Sequence, residues 1–248
     1  MKLAAVLACR NQSARLYAKP LQNLDVNKGV SILDYLIGQL KQRTEIDAIV
    51  LAISEKEENL IYKNVAKRHG VPFVLGDDND VLGRLIKGAK LVKADQILRV
   101  TTESPYTYFN NLPEIYRYHC GNKIDFSGTK GLPDGAFFEI ISLAALEASW
   151  EAGKKQHRSE LCSMYIFEHP EEFKIRIHDV PAKLARKDIR LTVDWPEDLI
   201  VMRAIYEGLK LSPAKPHSIA AIIEFLDKHP KLNAVNSWID SGIGRIWD

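Results

Sequence analysis

Lys2-Leu3-Ala4-Ala5-Val6-Leu7-Ala8 is an almost unbroken apolar run, which is typical of a β-strand buried on both faces of a parallel sheet. A second run of this kind covers residues 47–53. Between the two runs, apolar residues recur at helical spacing over 31–43, and Ser31 is placed to cap that helix. A strand, a helix and a second strand in this order predict a parallel sheet with helices on both faces.

The same alternation extends over most of the chain. Further helices are predicted at 56–69, 80–92, 110–119, 142–153, 160–168, 196–209 and 218–229. Further strands are predicted at 71–75, 96–100, 125–127, 136–141, 174–178 and 189–193. The predicted fold class is therefore α/β, with one domain over 1–248, a mainly parallel sheet and a small insertion or flap. Residues 211–248 are predicted to form a C-terminal helix and tail, and we expect the tail, with Trp238 and Trp247, to pack on the body or on a second subunit.

Composition excludes several classes of protein. The 248 residues carry 34 Lys and Arg against 32 Asp and Glu, a net charge of +2, so no basic stripe indicates nucleic-acid binding. The apolar runs are far shorter than the roughly 18 to 20 residues that span a bilayer. We read the first run as a strand and not as a leader, because no small-residue cleavage site follows it. Cys9, Cys120 and Cys162 have no CxxC spacing, which argues against a disulfide framework and favours a reducing cytoplasm.

Three cations follow the first predicted strand. Arg10, Arg15 and Lys19 are spaced five and four residues apart, and ligands of such sheets bind beyond the carboxyl ends of the strands. Guanidinium forks and a lysine on one loop could wrap a triphosphate. Neither GxxxxGK[ST] nor GxGxxG is present, which argues against P-loop NTPases and dinucleotide-binding dehydrogenases. A solvated basic loop remains the alternative interpretation.

Two carboxylates follow predicted strands in the same way. Glu103 comes shortly after strand 96–100, and Asp194 comes directly after strand 189–193. Magnesium bound with substrate phosphates uses one or two protein carboxylates, so these two would suffice. For Asp194 the alternative is a capping role before the helix that starts at Pro196. Asp198 has the simpler interpretation of a first-turn residue that favours the helix dipole.

Six short motifs follow one another along the chain. Their residues are Arg10, Ser13, Arg15, Leu16 and Lys19; Gly76, Asp80, Val81, Leu82 and Arg84; Arg99, Thr101, Glu103 and Pro105; Pro133, Asp134, Gly135 and Glu139; Glu160; and Arg190, Leu191, Thr192, Val193, Asp194, Pro196, Glu197, Asp198 and Leu199. In this order they resemble the motifs of the cytidylyltransferases that include the CMP-Kdo and CMP-acylneuraminate synthetases, most closely the branch called spore coat polysaccharide biosynthesis protein F. The resemblance covers about residues 1–210 and implies a Rossmann-like, three-layer α/β/α nucleotidyltransferase fold of the glycosyltransferase-A type.

The resemblance implies transfer of CMP from CTP to an acidic sugar of the ulosonic or nonulosonic type, or a related polar acceptor, with release of pyrophosphate for surface polysaccharide or glycan synthesis. It implies catalytic roles for Arg15, Lys19, Glu103 and Asp194, with Mg²⁺ on the two carboxylates. The implied nucleotide-binding residues are Ala8, Cys9, Arg10, Ser13, Arg15, Lys19, Gly76, Asp80, Arg84 and Thr101. The implied acceptor-binding residues are Asp134, Glu139 and Glu160. Residues 122–180 would form an acceptor-binding and dimerisation insertion in a cytoplasmic homodimer that binds neither nucleic acid nor membrane.

This sequence departs from the family pattern at several positions. Ala18 stands where the family usually has Gly, Glu103 where it has Asp, and Leu161 where it often has His, while 104–108 replaces a usual Cys-Pro-Leu-Ile-Asp. A phosphorylated sugar, a polyol or a phosphonate is therefore an alternative acceptor, and a catalytically silent nucleotide-binding homologue is an alternative function. Asp134 could also be a turn residue, Glu139 a strand-surface charge and Glu160 a first-turn helix residue.

Overall fold

A computed structural model of the chain describes residues 1–239. Seven of its strands form one sheet and two form a short hairpin. The strands are β1 (Leu3–Cys9), β2 (Asn23–Asp25), β3 (Val30–Ser31), β4 (Ala48–Ser54), β5 (Phe73–Gly76), β6 (Gln96–Arg99), β7 (Phe126–Lys130), β8 (Glu139–Ser142) and β9 (Ile175–Asp179). The helices are α1 (Ile32–Lys41), α2 (Tyr62–His69), α3 (Val81–Leu91), α4 (Leu112–Gly121), α5 (Leu143–Ala152), α6 (Met164–Glu168), α7 (Pro196–Gly208), α8 (Ile219–Lys228) and α9 (Pro230–Asn233).

The large sheet has the order β5-β4-β1-β6-β8-β7-β9 and is mainly parallel, as the sequence predicts. β1 pairs in parallel with β4 and with β6, and β4 pairs in parallel with β5. β8 runs antiparallel to both of its neighbours, β6 and β7, and β9 returns to a parallel pairing with β7. The carboxyl ends of β1 and β6 therefore lie side by side, where the sequence places a cationic loop and a carboxylate.

β1 is buried on both faces because its alternate side chains enter different core clusters. Leu3 and Leu7 pack in the cluster that contains the apolar face of α1, and Val6 packs on the other side with α3. The burial of each such side chain contributes about 1.5 to 3 kcal/mol. Ser31 caps α1, as predicted, in a reciprocal pair with Asp34. The first strand and the first helix thus have the roles that their sequence patterns predict.

The prediction of a strand at 189–193 is wrong. Apart from one isolated bridge between Arg190 and Asp134, the segment pairs with no strand within residues 1–239. Ile189, Leu191 and Val193 are buried because they pack in the cluster that contains α7 and α8. The alternating pattern therefore reflects burial on one side of an irregular segment. A backbone hydrogen bond from Val193 N to the Glu103 carbonyl, 3.1 Å, and a side-chain hydrogen bond from Ser104 to Thr192, 3.0 Å, join this segment to the chain after β6.

Some element bounds also differ from those predicted. The helix predicted at 56–69 begins at Tyr62, after a separate 3₁₀ turn at Glu57–Asn59. The helix predicted at 160–168 begins only at Met164, and the strand predicted at 136–141 begins at Glu139. Within residues 1–239, no helix is both long enough and apolar enough to cross a membrane.

Residues 122–180 and 211–248, for which the sequence predicts separate roles, join the body in different ways. Residues 122–180 supply three strands of the large sheet, β7, β8 and β9, together with α5 and α6. The chain after 211 supplies α8 and α9, and Asn236 beyond them is fully buried. Trp238 is exposed, while Trp247 lies outside the described residues. The acceptor and dimerisation roles of 122–180 stay predictions.

Candidate functional site

A cavity of about 450 Å³ opens at the carboxyl ends of β1 and β6. Its wall is formed by the loop after β1, the segment after β6, the turn at 134–135 and the segment that ends at 194. Most of the residues that the sequence predicts for the site line it together. They are Ala8, Arg10, Ser13, Arg15, Lys19, Arg84, Thr101, Glu103, Asp134, Glu139, Glu160 and Asp194.

Three predicted nucleotide-binding residues are not among those that line this cavity. Cys9 is fully buried, and burial raises the pKa of its thiol, so it is an inert core residue. Asp80 caps α3 by accepting a hydrogen bond of 2.7 Å from Gly83 N, and it accepts another of 2.8 Å from Trp150 Nε1. At Gly76 a Cβ would come within 2.8 Å of Arg84 Cγ. Their roles in nucleotide binding stay predictions.

Arg84 forms part of the cavity floor although its side chain is almost wholly buried. Its Nη1 donates to the carbonyl of Ala52, 2.9 Å, and to that of Cys9, 3.3 Å. The guanidinium therefore joins the carboxyl ends of β4 and β1 behind the cationic loop. Gly76 leaves the space that the Arg84 stem occupies, since a Cβ there would overlap it. The two motif residues act together, and Arg84 is the one that faces the cavity.

The backbone of the cationic loop folds back on itself. Ala18 N donates to the Asn11 carbonyl, 2.8 Å, and Asn11 N donates to the side chain of Asn59, 2.7 Å. Ala18 has a φ of 51° in the left-handed region, which explains why the family usually has glycine at this position. An L-residue in this conformation costs roughly 1 to 2 kcal/mol. The loop thus adopts a left-handed backbone at position 18 although the residue is alanine.

Two of the predicted phosphate-binding cations meet one carboxylate. Lys19 Nζ and Arg15 Nη2 lie 2.6 Å and 2.7 Å from the same Asp194 oxygen, Oδ1, while Arg190 binds Oδ2. Burial alone would raise the pKa of Asp194, but the hydrogen bond from Lys19 and the charges of Arg15 and Arg190 hold it below its ordinary value. Asp194 is therefore an ionised group in a strongly cationic setting.

The capping interpretation of Asp194 is wrong. Asp198, fully buried, accepts hydrogen bonds from the backbone N–H groups of Asp194, 2.8 Å, and Trp195, 2.9 Å, and so caps α7 itself. The interpretation of Asp198 as a first-turn helix residue is confirmed. The Asp194 side chain is thereby left to face the cavity and its cations.

Glu103 is half-buried on the same wall as Asp194. Burial raises the pKa of Glu103; the Lys19 ammonium opposes the rise, and the charge of Asp194 adds to it. Within residues 1–239, Glu103 forms no ion pair. Carboxylate oxygens are the ligands that a divalent ion such as Mg²⁺ prefers, and a bound cation would favour the ionised form of Glu103 that burial disfavours. The residue types therefore fit a magnesium ion.

The predicted acceptor residues all line the cavity, on a part of its wall that we call the acceptor side, and two of their alternative interpretations are wrong. Glu139 is only 1% exposed and pairs with Arg99 at 2.5 Å, so it is not a strand-surface charge. Glu160 precedes α6 by four residues, so it is not a first-turn helix residue. Its carboxylate pairs with Arg10 at 2.6 Å, and its carbonyl accepts a hydrogen bond of 2.6 Å from Arg99. Arg99 therefore holds both glutamates in place.

The turn at 134–135 connects this side to Asp194. Gly135 has a φ of 80°, and a Cβ there would come within 2.7 Å of the Thr192 backbone nitrogen, so only glycine fits without strain. Asp134 is the turn residue that we weighed as an alternative, and it also faces the cavity and pairs with Arg190 at 2.5 Å. The turn geometry and a role in the site are thus compatible.

Sequence reasoning identified Arg99 and Arg190 only as members of motifs and gave neither a role in the site. Arg99 lines the cavity, and Arg190 lies behind it. Ser104 and Thr192 were also missed; with Thr101 they form a chain of hydroxyl groups, 2.6 Å and 3.0 Å apart, on the cavity wall. The arginines stand in predicted strands next to buried apolar residues, and a charge at such a position was the signal that could have found them.

The cytidylyltransferase family model matches residues 4–230 of this chain. The spore coat polysaccharide biosynthesis protein SpsF of Bacillus subtilis is 25% identical over 230 residues, 91% of this chain and 94% of that protein.

Solved structures show the same fold. A cytidylyltransferase from Leptospira borgpetersenii superposes with a TM-score of 0.85 at 24% identity, over 97% of this chain and 99% of that one. A CMP:2-keto-3-deoxy-manno-octonic acid synthetase, solved in complex with CTP, superposes with a TM-score of 0.64 at 12% identity, over 85% of this chain and 100% of that one. The predicted α/β nucleotidyltransferase fold and the predicted family resemblance are both confirmed.

Proposed function

We propose that this chain, which belongs to the cytidylyltransferase family, transfers CMP from CTP to an acidic sugar or a related polar acceptor and releases pyrophosphate. The observation that carries the proposal is the meeting of Lys19, Arg15, Asp194 and Glu103 on one wall of a single cavity. The family uses CTP, and one relative is named for polysaccharide biosynthesis. We therefore place the reaction in surface polysaccharide or glycan synthesis.

The reaction asks the protein to position the phosphates and neutralise their charge, because an acceptor oxygen attacks the α-phosphorus directly while pyrophosphate leaves. In our proposal, Lys19 and Arg15 bind the β- and γ-phosphates, and Arg10 approaches the α-phosphate. Fixed cations in a cavity stabilise charge that develops on the leaving pyrophosphate. Each of the three is held by a carboxylate before CTP arrives: Lys19 and Arg15 by Asp194, and Arg10 by Glu160.

Binding of CTP then exchanges these partners. Phosphate oxygens take the place of the Asp194 and Glu160 oxygens on the cations, and the two carboxylates become available to other groups. Glu103 and Asp194 are the residues that would hold a magnesium ion, which when bound polarises the attacked phosphate and offsets its charge. Because the cations are preordered by the carboxylates, little side-chain reorganisation is needed when the nucleotide enters.

The acceptor side offers mainly hydrogen-bond acceptors. Asp134, Glu139 and Glu160 can each accept from hydroxyl groups of a sugar. Each of these carboxylates is also paired with an arginine: Asp134 with Arg190, Glu139 with Arg99 and Glu160 with Arg10. In our proposal, the hydroxyl groups of the sugar bind the carboxylates. A neutral polyol is the second candidate acceptor, because it offers the same hydroxyl donors.

An open edge of the large sheet supports a homodimer. Strand β9 forms an edge of the large sheet and pairs on one side only, with β7, within residues 1–239. An open edge can pair with another chain, which supports the expectation of a homodimer through the 122–180 region. Sedimentation at several protein concentrations tests the dimer.

The three cysteines are free thiols, which supports a location in the reducing cytoplasm.

Pyrophosphate release from each of the four nucleoside triphosphates, measured with Mg²⁺ and a panel of sugar acids, polyols, phosphorylated sugars and phosphonates, tests the function. We expect turnover with CTP, lost in Asp194→Asn and Arg15→Ala. Glu197→Gln is the matched control, because Glu197 lies in the same segment but does not line the cavity.

The outcomes separate the hypotheses. If no acceptor is turned over and CTP does not bind in a metal-dependent way, the proposal that the protein is a cytidylyltransferase is rejected. CTP binding without turnover of any acceptor favours the catalytically silent homologue. If both cavity variants retain full activity, the assignment of the site is wrong even though the activity is right.

A further inference from the structure

Arg190 is a buried cation directly behind the cavity. Its side chain is only 5% exposed, and each of its three guanidinium nitrogens binds a different carboxylate. Nε donates to Asp198 at 2.9 Å, Nη1 to Asp134 at 2.5 Å, and Nη2 to Asp194 Oδ2. Arg190 is not among the residues that line the cavity, so it acts on bound ligands through these partners.

The three carboxylates come from separate parts of the site. Asp134 belongs to the turn on the acceptor side, Asp194 to the wall that holds Lys19 and Arg15, and Asp198 to the first turn of α7. The backbone reinforces the first of these contacts, because Leu191 N donates to the Asp134 carbonyl at 2.7 Å. One planar cation thus joins the acceptor side, the phosphate side and a helix end.

Asp194 is fixed from two directions by this arrangement. Asp198 accepts from its backbone N–H, and Arg190 binds its Oδ2, so Oδ1 is left to face Lys19 and Arg15. A lysine could not replace Arg190, because an ammonium is a point charge and cannot direct three donors in a fixed plane. Asn236 completes the set by donating to Asp198 at 2.9 Å.

We infer that Arg190 is the positioning residue that orients Asp194 toward the phosphate-binding cations and couples it to Asp134 on the acceptor side. The inference rests on the proposed function, in which Lys19 and Arg15 bind the phosphates of CTP. Without the Arg190 fork, Asp194 loses the donor on Oδ2 and holds Lys19 and Arg15 more strongly. CTP must then displace a less well compensated carboxylate.

A double-mutant cycle on CTP binding tests this inference. Arg190→Lys is expected to raise the Kd for CTP about tenfold in the otherwise unchanged protein and less than twofold in an Asp194→Asn background, since contacting residues are strongly non-additive. A merely structural effect of Arg190 would raise Kd equally in both backgrounds. Arg186→Lys is the matched control, because Arg186 also binds two carboxylates, Asp188 and Asp227, but lies outside the cavity.

Equal effects in both backgrounds, or no effect of Arg190→Lys in the otherwise unchanged protein, would overturn the inference. If Arg190→Lys does not fold, the charge-balanced pair Arg190→Gln with Asp134→Asn replaces it, and the same dependence on Asp194 is expected. Inorganic tripolyphosphate is titrated alongside CTP because it needs only the phosphate-binding cations. Tripolyphosphate binding without CTP binding rejects cytidylyl transfer, and the cycle measured with tripolyphosphate then tests Arg190 by itself. A protein that binds neither ligand contradicts both proposals.

Discussion

Acidification from pH 7 to pH 4 should remove about 3 kcal/mol of folding free energy through His119 alone. His119 is fully buried between α4 and the sheet. Because the Gln96 side-chain oxygen can only accept, His119 Nε2 carries the proton and donates to it at 2.8 Å, while Nδ1 accepts from the Ser127 hydroxyl at 2.8 Å. Both ring nitrogens are thus occupied by a neutral tautomer.

The sign and size follow from linkage. Burial lowers the pKa of His119 from 6.5 to about 4; the charge of Asp125 opposes this, and His178 adds to it. Below pH 6.5 the unfolded chain therefore binds a proton that the folded chain does not, so stability is complete above pH 6.5 and falls as the pH drops toward 4. At about 1.4 kcal/mol per pKa unit the loss is about 3 kcal/mol, a large part of the roughly 5 to 15 kcal/mol of a typical domain.

Urea unfolding followed by circular dichroism at pH 7, 6, 5 and 4 measures this loss. His119→Gln should be less stable at pH 7 but should lose about 3 kcal/mol less on acidification, and His229→Gln, an exposed histidine, is the control. Burial alone would raise the pKa of Asp34, but hydrogen bonds from His69, Ser31 and Arg68 hold this pKa well below its ordinary value. The stability that Asp34 contributes is therefore lost only at a lower pH. An unchanged pH dependence in His119→Gln would refute the reasoning.

Three further predictions concern the cavity. Glu160→Gln should tighten CTP binding by about two- to fivefold in calorimetry, because an exposed ion pair with Arg10 is worth up to about 1 kcal/mol and the freed Arg10 can bind phosphate. Glu147→Gln, which removes the exposed pair with Lys90, is the control. Weaker CTP binding by Glu160→Gln would contradict the proposed exchange of partners. Lys19→Met should raise the Kd for CTP tenfold or more, since a hydrogen bond to a charged group is worth about 1.5 to 3 kcal/mol, whereas Lys28→Met should leave it unchanged. Gly135→Ala should lower the free energy of unfolding by about 1 to 3 kcal/mol and reduce turnover, because the new Cβ would overlap Thr192 in a left-handed turn. Gly121→Ala is the control in thermal unfolding and should be nearly neutral, because a Cβ at Gly121 has no neighbouring atom within 4 Å. Equal effects of the two substitutions would exclude the overlap with Thr192.

The sequence predicted the part of the fold in which local pattern and tertiary burial agree. β1 and β4 were predicted because a strand that is buried on both faces needs continuous apolar residues. α1 was predicted because its apolar residues recur at helical spacing. The segment 189–193 shows where this reasoning fails. Ile189, Leu191 and Val193 alternate as in a strand, but alternation reports which side is buried and not whether a neighbouring strand supplies hydrogen bonds.

The site was predictable in its members and not in its pairings. Arg15, Lys19 and Asp194 could be proposed because they are charged and follow predicted strands. Their contact with one another could not be predicted, because it joins residues about 175 positions apart in the chain. Arg190 was missed because its local signal, a charge between buried apolar residues, does not show which carboxylates bind the guanidinium. The left-handed backbone at Ala18 has no signal in the alanine itself, and only the glycine that the family usually has at this position indicates it.

Asn236 ties the segment after α9 to the cavity wall. Its side-chain nitrogen donates to Asp198 at 2.9 Å and to the Arg190 carbonyl at 3.3 Å, and Asp198 in turn holds the backbone of Asp194. Asn236 is therefore a remote anchor for a carboxylate that faces Lys19 and Arg15, although it lies outside the cavity itself. The order of the phosphate-binding wall thus depends on the segment after α9 as well as on the strand ends of the sheet.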